Sequence, residues 1–174
     1  MAFAHLHNRS QYSLLDGAMS PKQLVARAHA QNMTAVGLID TCNLYGAYEF
    51  WSACKSSELQ AVVGSSIWMW PEGLQSLESR QPDAGWDLSL LIEAGPHARS
   101  APAREDDYLA YRNLSALITS AIFDGMHYRP RTDFEQLTAH QEGLVALVGG
   151  LNGPIGAALR RERPEEARKN LERL

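Results

Sequence analysis

Ser20-Pro21-Lys22-Gln23, followed at helix length by Thr34-Ala35-Val36-Gly37-Leu38-Ile39-Asp40, is the stretch that decides the fold. A serine with glutamine three positions on, and proline between them, is a capping box with proline at the first helical position. The spacing predicts a helix over Pro21–Gln31 with Leu24, Val25 and Ala28 on one face. The run at 34–40 is nearly all apolar and short, as in a strand buried on both faces. With a short strand expected at Phe3–Leu6, the chain opens as β-α-β.

The alternation continues outward. A helix is expected over Tyr45–Ser56, strands over Ala61–Trp70 and Trp86–Ile92, and a helix over Asp107–Phe123. Thr132-x-x-Glu135 reads as the capping box of a short helix, Leu144–Val148 as a fifth strand, and Pro164 as the first position of a charged helix ending at Leu174. Strands alternating with helices imply an α/β fold with a parallel sheet or barrel. The stretch 71–106 interrupts the pattern. It is loop-rich, and residues 71–110 carry three basic against eight acidic groups.

Composition fits one soluble globular domain over 1–174: 174 residues, 45% hydrophobic and 21% charged. No apolar run reaches the roughly 18 residues of a membrane span, and Met1–His5 lacks the basic and hydrophobic regions of a signal peptide. A cytoplasmic protein with no membrane partner is expected. Cys42 and Cys54 lack C-x-x-C spacing and read as reduced thiols. A net charge of −4 argues against holding nucleic acid by phosphate neutralisation.

Chemistry-bearing residues gather at the expected strand ends. On a strand, His5 and His7 point to the same side and could converge on one ion; two surface histidines near a terminus is the plainer reading. Asp16 and Asp40 are carboxylates at such ends, suited to hard or borderline cations, although Asp40 reads equally as a turn or helix cap. Glu49 reads as a solvated helix residue. Trp68 and Trp70 read as one packed face, Arg129 and Arg131 as an extended solvated connection with phosphate contact as the alternative, and His29, His97, His127 and His140 as surface histidines.

Taken together, several segments resemble a known family. They are His5-x-His7 with Tyr12-Ser13-Leu14-Leu15-Asp16-Gly17, the Leu-Ile-Asp-x-x-Asn-Leu-x-Gly stretch at 38–46, and Val62-Val63-Gly64. Tyr111-Arg112-Asn113-Leu114, Tyr128-Arg129-Pro130-Arg131 and Gly143–Leu147 follow in order. The likeness is to the polymerase and histidinol phosphatase (PHP) domain at the N-terminus of bacterial DNA polymerase III alpha subunits, and it covers nearly the whole chain.

The resemblance implies a PHP-type distorted (β/α)7 barrel, incomplete in these residues, with a metal cluster at the strand ends of active members that hydrolyses phosphoesters. It maps ligands onto His5, His7 and Asp16, beside Asp40. Where it expects a histidine after Asp40 the chain has Thr41, and where it expects a glutamate it has Ser66. Asp87 stands for a histidine and Gly150 for a cysteine. Thr41, Ser66 and Gly150 offer no strong ligand for zinc or manganese. His5, His7, Asp16 and Asp40 then form a vestigial or weak site, with no cofactor required and at most weakly held Zn or Mn.

Two functions follow from the resemblance. One is a non-catalytic scaffold that docks the proofreading 3′–5′ exonuclease subunit and other replicase subunits, DNA being reached only through the full-length polymerase. The other is a metal-dependent phosphoesterase or 3′–5′ exonuclease. The insertion-like segment 94–106 receives no role. Five expected strands against seven in the family's barrel imply open sheet edges, and with them lower stability than a complete domain or self-association.

Overall fold

A computed structural model describes residues 3–71, 73–74, 85–93 and 108–174. Most of the acidic stretch 71–106, including the 94–106 segment and His97, lies outside the described residues. So does the expected helix start at Asp107. The chain divides into two compact units, Met1–Ser66 and Ile67–Leu174.

The first unit begins with α1 (Pro21–Ala30), β1 (Ala35–Thr41) and α2 (Ala47–Ser56), and ends within β2 (Gln60–Met69). The capping box forms as the sequence requires. Ser20 Oγ accepts from Gln23 N at 3.3 Å, and Ser20 N donates to Gln23 Oε1 at 2.9 Å. β1 and β2 pair in parallel from Ala35↔Gln60 to Thr41↔Ser66. Leu24, Val25 and Ala28 of α1, Val36 and Leu38 of β1, and Phe50 and Cys54 of α2 bury together in one core with Leu59. The helical i, i+4 spacing of Phe50 and Cys54 meets the strand's two-residue period across that core.

Phe3–Leu6 is not a strand. It runs extended beside β1, and only alternate groups meet it: Gly37 N donates to His5 O at 2.7 Å and Ile39 N to Asn8 O at 2.8 Å. The Asn8 amide supplies further links, donating to His5 O and to Gly37 O, both at 3.0 Å. A side chain thus takes contacts that a regular ladder would give to backbone. Glycine at 37 is required, because a Cβ there would run into the Leu6 backbone. The outer edge of β1 is covered in this way.

The second unit continues from the last residues of β2 through β3 (Trp86–Ile92), α3 (Leu109–Phe123), β4 (Arg131–Thr132), α4 (Phe134–Ala139), β5 (Leu144–Leu147), α5 (Pro154–Arg160) and α6 (Pro164–Arg173). The sheet order is β1-β2-β3-β5, with β4 beside β2. α3 buries Ala110, Leu114, Leu117, Ile118 and Ala121, an apolar stripe at 3.6-residue spacing. The fold is α/β, as expected, but the sheet is mixed. β5 runs antiparallel to β3, from Ser89↔Leu147 to Ile92↔Leu144. Its half-exposed residues suit an antiparallel strand, which tolerates one solvated face.

Two further expectations are corrected. The cap of α4 is Asp133, whose Oδ1 accepts from Gln136 N at 2.9 Å, and not Thr132. The helix α5 was not expected; Gly153 precedes Pro154 at its first position, and Asn170 Nδ2 of α6 ties it down by donating to Pro154 O at 3.0 Å. Among the described residues no helix is long and apolar enough to cross a membrane.

Burial pushes the Cys42 and Cys54 thiols up to about 11. Thiols whose pKa is raised by folding stabilise the native state below their unfolded pKa of about 9, and that contribution is lost as pH rises towards 11. Native protein at pH 8 is therefore expected to react with a thiol reagent far more slowly than urea-unfolded protein, and stability falls above pH 9. Equal rates in the two states would contradict the packing around Cys54.

Candidate functional site

The loop from Asn8 to Gly17 is built on two overlapping turns. Ser13 N donates to Ser10 O at 2.9 Å, while Asp16 N and Gly17 N both donate to Ser13 O, at 3.0 and 2.9 Å. This winding leaves Leu15 at a φ of 69°, a left-handed conformation that costs a non-glycine residue about 1–2 kcal/mol. The loop therefore needs an anchor, and Asp40 supplies it.

Asp40, at the C-terminal end of β1, is buried. Its Oδ1 accepts from Ser10 N at 2.7 Å and from Ser13 Oγ at 2.6 Å, and its Oδ2 accepts from Ser10 Oγ at 2.7 Å. Bonds this short are the charge-assisted kind. The network extends from there. Thr41 N donates to Ser13 Oγ at 3.0 Å, and Ser65 Oγ donates to Asp40 O at 2.8 Å. Asn43 Nδ2 donates to Tyr12 O at 3.2 Å and Thr41 O at 2.9 Å. The capping alternative for Asp40 describes this geometry, with a remote loop in place of a helix end.

Asp16 sits elsewhere on the loop, half-exposed. Its Oδ2 accepts from Arg9 Nη1 at 2.9 Å, and Arg9 Nη2 donates to Ser66 Oγ at 3.1 Å. Arg9 thus joins Asp16 to the position where the resemblance expects a glutamate. His5 and His7 are both exposed, and the His5 ring packs edge-on against Phe3 at 4.7 Å. The Thr41 side chain is exposed.

Asp87 and Gly150 belong to the second unit. Asp87 lies half-buried on β3, its N donating to Asn152 O at 3.3 Å; Gly150 is exposed at a φ of 92°. Among the described residues no group of three His, Cys, Asp or Glu side chains is placed to hold a metal ion. With the Asp40 oxygens taken by three donors and Asp16 paired to a guanidinium, the donor set does not fit a polynuclear metal centre.

Arg9, Ser10 and Ser13 are the functional-loop residues that sequence reasoning missed. Only Ser10-x-x-Ser13 carried a signal, as a hydroxyl pair at turn spacing. In the second unit, the solvated connection expected at Arg129 and Arg131 holds for the exposed Arg129 and fails at Arg131, which is buried. Arg129 lies 4.3 Å over the Trp68 ring and the buried Arg131 lies 4.5 Å over Trp70. Burial pushes the Arg131 guanidinium below its usual range. Glu49 is half-buried on α2, and among the described residues His29, His127 and His140 join no metal-holding group.

The family model described as PHP domain matches residues 5–174. The chain is 35% identical over 173 residues to the DNA polymerase III subunit alpha of Treponema pallidum, covering 97% of this chain and 14% of that protein. It is 33% identical over 159 residues to that of Chlamydia muridarum, covering 91% and 12%, and 32% identical over 151 residues to that of Aquifex aeolicus, covering 87% and 12%. The chain thus spans about one-eighth of the length of these relatives. Among solved structures, an amidohydrolase from Chromobacterium violaceum gives a TM-score of 0.47 at 20% identity, covering 97% of this chain and 47% of that one.

The two carboxylates are expected to behave differently on truncation. Asp40→Ala strands three buried donors and should cost about 3 kcal/mol in urea unfolding. Asp16→Ala breaks a partly solvated pair and should cost less than about 1 kcal/mol. Equal losses would contradict the anchoring role of Asp40.

Proposed function

We propose that this chain, which belongs to the PHP domain family, is the N-terminal PHP portion of a replicative DNA polymerase III alpha subunit, acting as a non-catalytic docking scaffold. The observation that carries the first part is the match of 97% of the chain to a one-seventh share of such a subunit. Residues 1–174 are then the first part of one PHP domain, and nucleotidyl transfer belongs to other parts of a cytoplasmic replicase.

The scaffold reading is supported by what the strand-end residues do. Asp40 holds a loop and Asp16 holds an arginine, so neither carboxylate is free to organise a metal-bound water. No cofactor is required; His5 and His7 remain as a weak Zn or Mn pair. The surface of the early β/α units suits docking. Leu14, Leu15, Tyr45, Tyr48 and Trp51 are all exposed there, and Tyr48 and Trp51 sit ring to ring at 6.0 Å along α2. Apolar and aromatic groups exposed together are the usual mark of a protein contact. The partner is the proofreading 3′–5′ exonuclease subunit, with DNA reached only through the full polymerase.

Two experiments test this. Elemental analysis of the purified chain should find less than one tightly held metal, with no chelator-sensitive hydrolysis of a phosphate ester. Several tight metals with turnover would replace the scaffold by the metal-dependent phosphoesterase. For docking, exonuclease affinity is compared between the intact alpha subunit and one lacking residues 1–174. A weakened complex is expected, and unchanged affinity rejects the docking role.

A further inference from the structure

The outer face of α2 carries exposed rings that their neighbours hold in place. Tyr48 and Trp51 are 77% and 47% exposed, and their rings lie 6.0 Å apart at an angle of 35°. The Lys55 ammonium sits 5.1 Å over the Trp51 ring from the next turn of the helix. Just before the helix the exposed Tyr45 meets the Tyr12 ring edge-on at 6.4 Å. Rings fixed in this way on a helix lose little freedom when a partner binds. Beside them an open groove of about 500 Å³ runs between α1 and α2, with Ala26, Ser52, Ala53 and Ser56 in its lining. Side chains this small let a slender chain come close to both helices.

We propose that this face binds a proline-rich segment of a partner protein in the polyproline II conformation. Hydrogen-bonding capacity selects that occupant. A polyproline II chain forms no internal hydrogen bonds, and its prolines bring carbonyl acceptors without an N–H donor. The face offers the complement. The Tyr45 and Tyr48 hydroxyls and the Trp51 indole N–H are donors with no hydrogen-bond partner among the described residues. A docked helix would arrive with its backbone groups already paired to one another and leave those donors without backbone partners. An added strand would need an unpaired sheet edge, which two helices do not present. The lengths also agree. Tyr48, Ser52 and Ser56 form one i, i+4 row spanning about 12 Å, the reach of roughly four residues of a polyproline II chain. This inference rests on the docking role proposed above and names the chemistry of the segment that docks.

The test titrates an acetylated, amidated octaproline into the chain and follows the Trp51 indole N–H and the backbone amides of Tyr48 and Ser52 by NMR. An alternating Gly-Ser octamer and a helix-forming peptide of repeated Glu-Ala-Ala-Ala-Lys serve as comparisons. Octaproline is expected to give saturable shifts at all three residues, with affinity roughly tenfold or more above that of the Gly-Ser peptide, which must lose more freedom on binding. Trp51→Ala, at an exposed position, should lower octaproline affinity roughly tenfold or more. Tyr48→Phe keeps the ring and loses the hydroxyl, and should lower it about two- to tenfold. Absence of saturable shifts, unchanged affinity in either variant, equal binding of the Gly-Ser peptide or tighter binding of the helical peptide overturns the proposal. The two readings fail separately. Octaproline binding, with exonuclease affinity unchanged by loss of residues 1–174, rejects the exonuclease as partner and leaves the proline-rich site standing. A complex weakened by that deletion, with no octaproline binding, does the opposite.

Discussion

The first unit depends on a single buried carboxylate. Asp40 ends the most buried strand of the unit, where an unpaired charge would cost several kcal/mol, and the cost is offset because three donors from one loop converge on it. The bonds act in both directions. They make a charge tolerable at the end of an apolar strand, and they hold the Ser10–Gly17 loop in a winding that puts Leu15 in a left-handed conformation. Ser13 Oγ, held by that carboxylate, accepts in turn from Thr41 N and ties the loop to β1, while Ser65 Oγ of β2 donates to the Asp40 backbone carbonyl.

Much of this fold was legible in the sequence because the signals were local. The capping box at Ser20, the apolar run ending at Asp40 and the periodic faces of α1–α3 all lie within one element or its flanks. What was not legible depends on partners far apart in the chain. The Arg9–Ser66 contact spans 57 residues, and neither residue has a pattern announcing the other. Strand direction was invisible for a related reason. Leu144–Leu147 reads as an apolar run whichever way it is laid against β3, and only the tertiary pairing decides. At Phe3–Leu6 the apolar pattern predicts a strand that does not form, and the Asn8 amide takes backbone carbonyls there instead.

The second unit solves a comparable charge problem without a carboxylate. Arg131 is buried, its Nε donates to Gly125 O at a long 3.4 Å, and its Nη2 has no hydrogen-bond partner among the described residues. The Trp70 ring face is what meets the guanidinium, and a desolvated cation over tryptophan is worth about 2 kcal/mol or more. Parallel pairing of β2 with β4 puts Trp68 opposite Arg131, so that arginines and tryptophans, each spaced two apart, come face to face. Glycine at 125 is part of that arrangement, because a Cβ there would overlap the Arg131 carbonyl. The spacing of both pairs was visible in the sequence; that they face each other was not.

These arrangements organise the strand end through the protein's own groups. Where a bound ion itself organises a loop, removing its ligands removes the folding energy that the ion supplied. Here the loop is organised by Ser10 and Ser13 on Asp40, and none of those bonds passes through positions 9, 16 or 66. The fold-determining carboxylate and the carboxylate in the ion pair lie on different partners within one short stretch of chain. Substitution at positions 9, 16 or 66 is therefore expected to alter what the strand end can bind while leaving the Asp40 bonds in place.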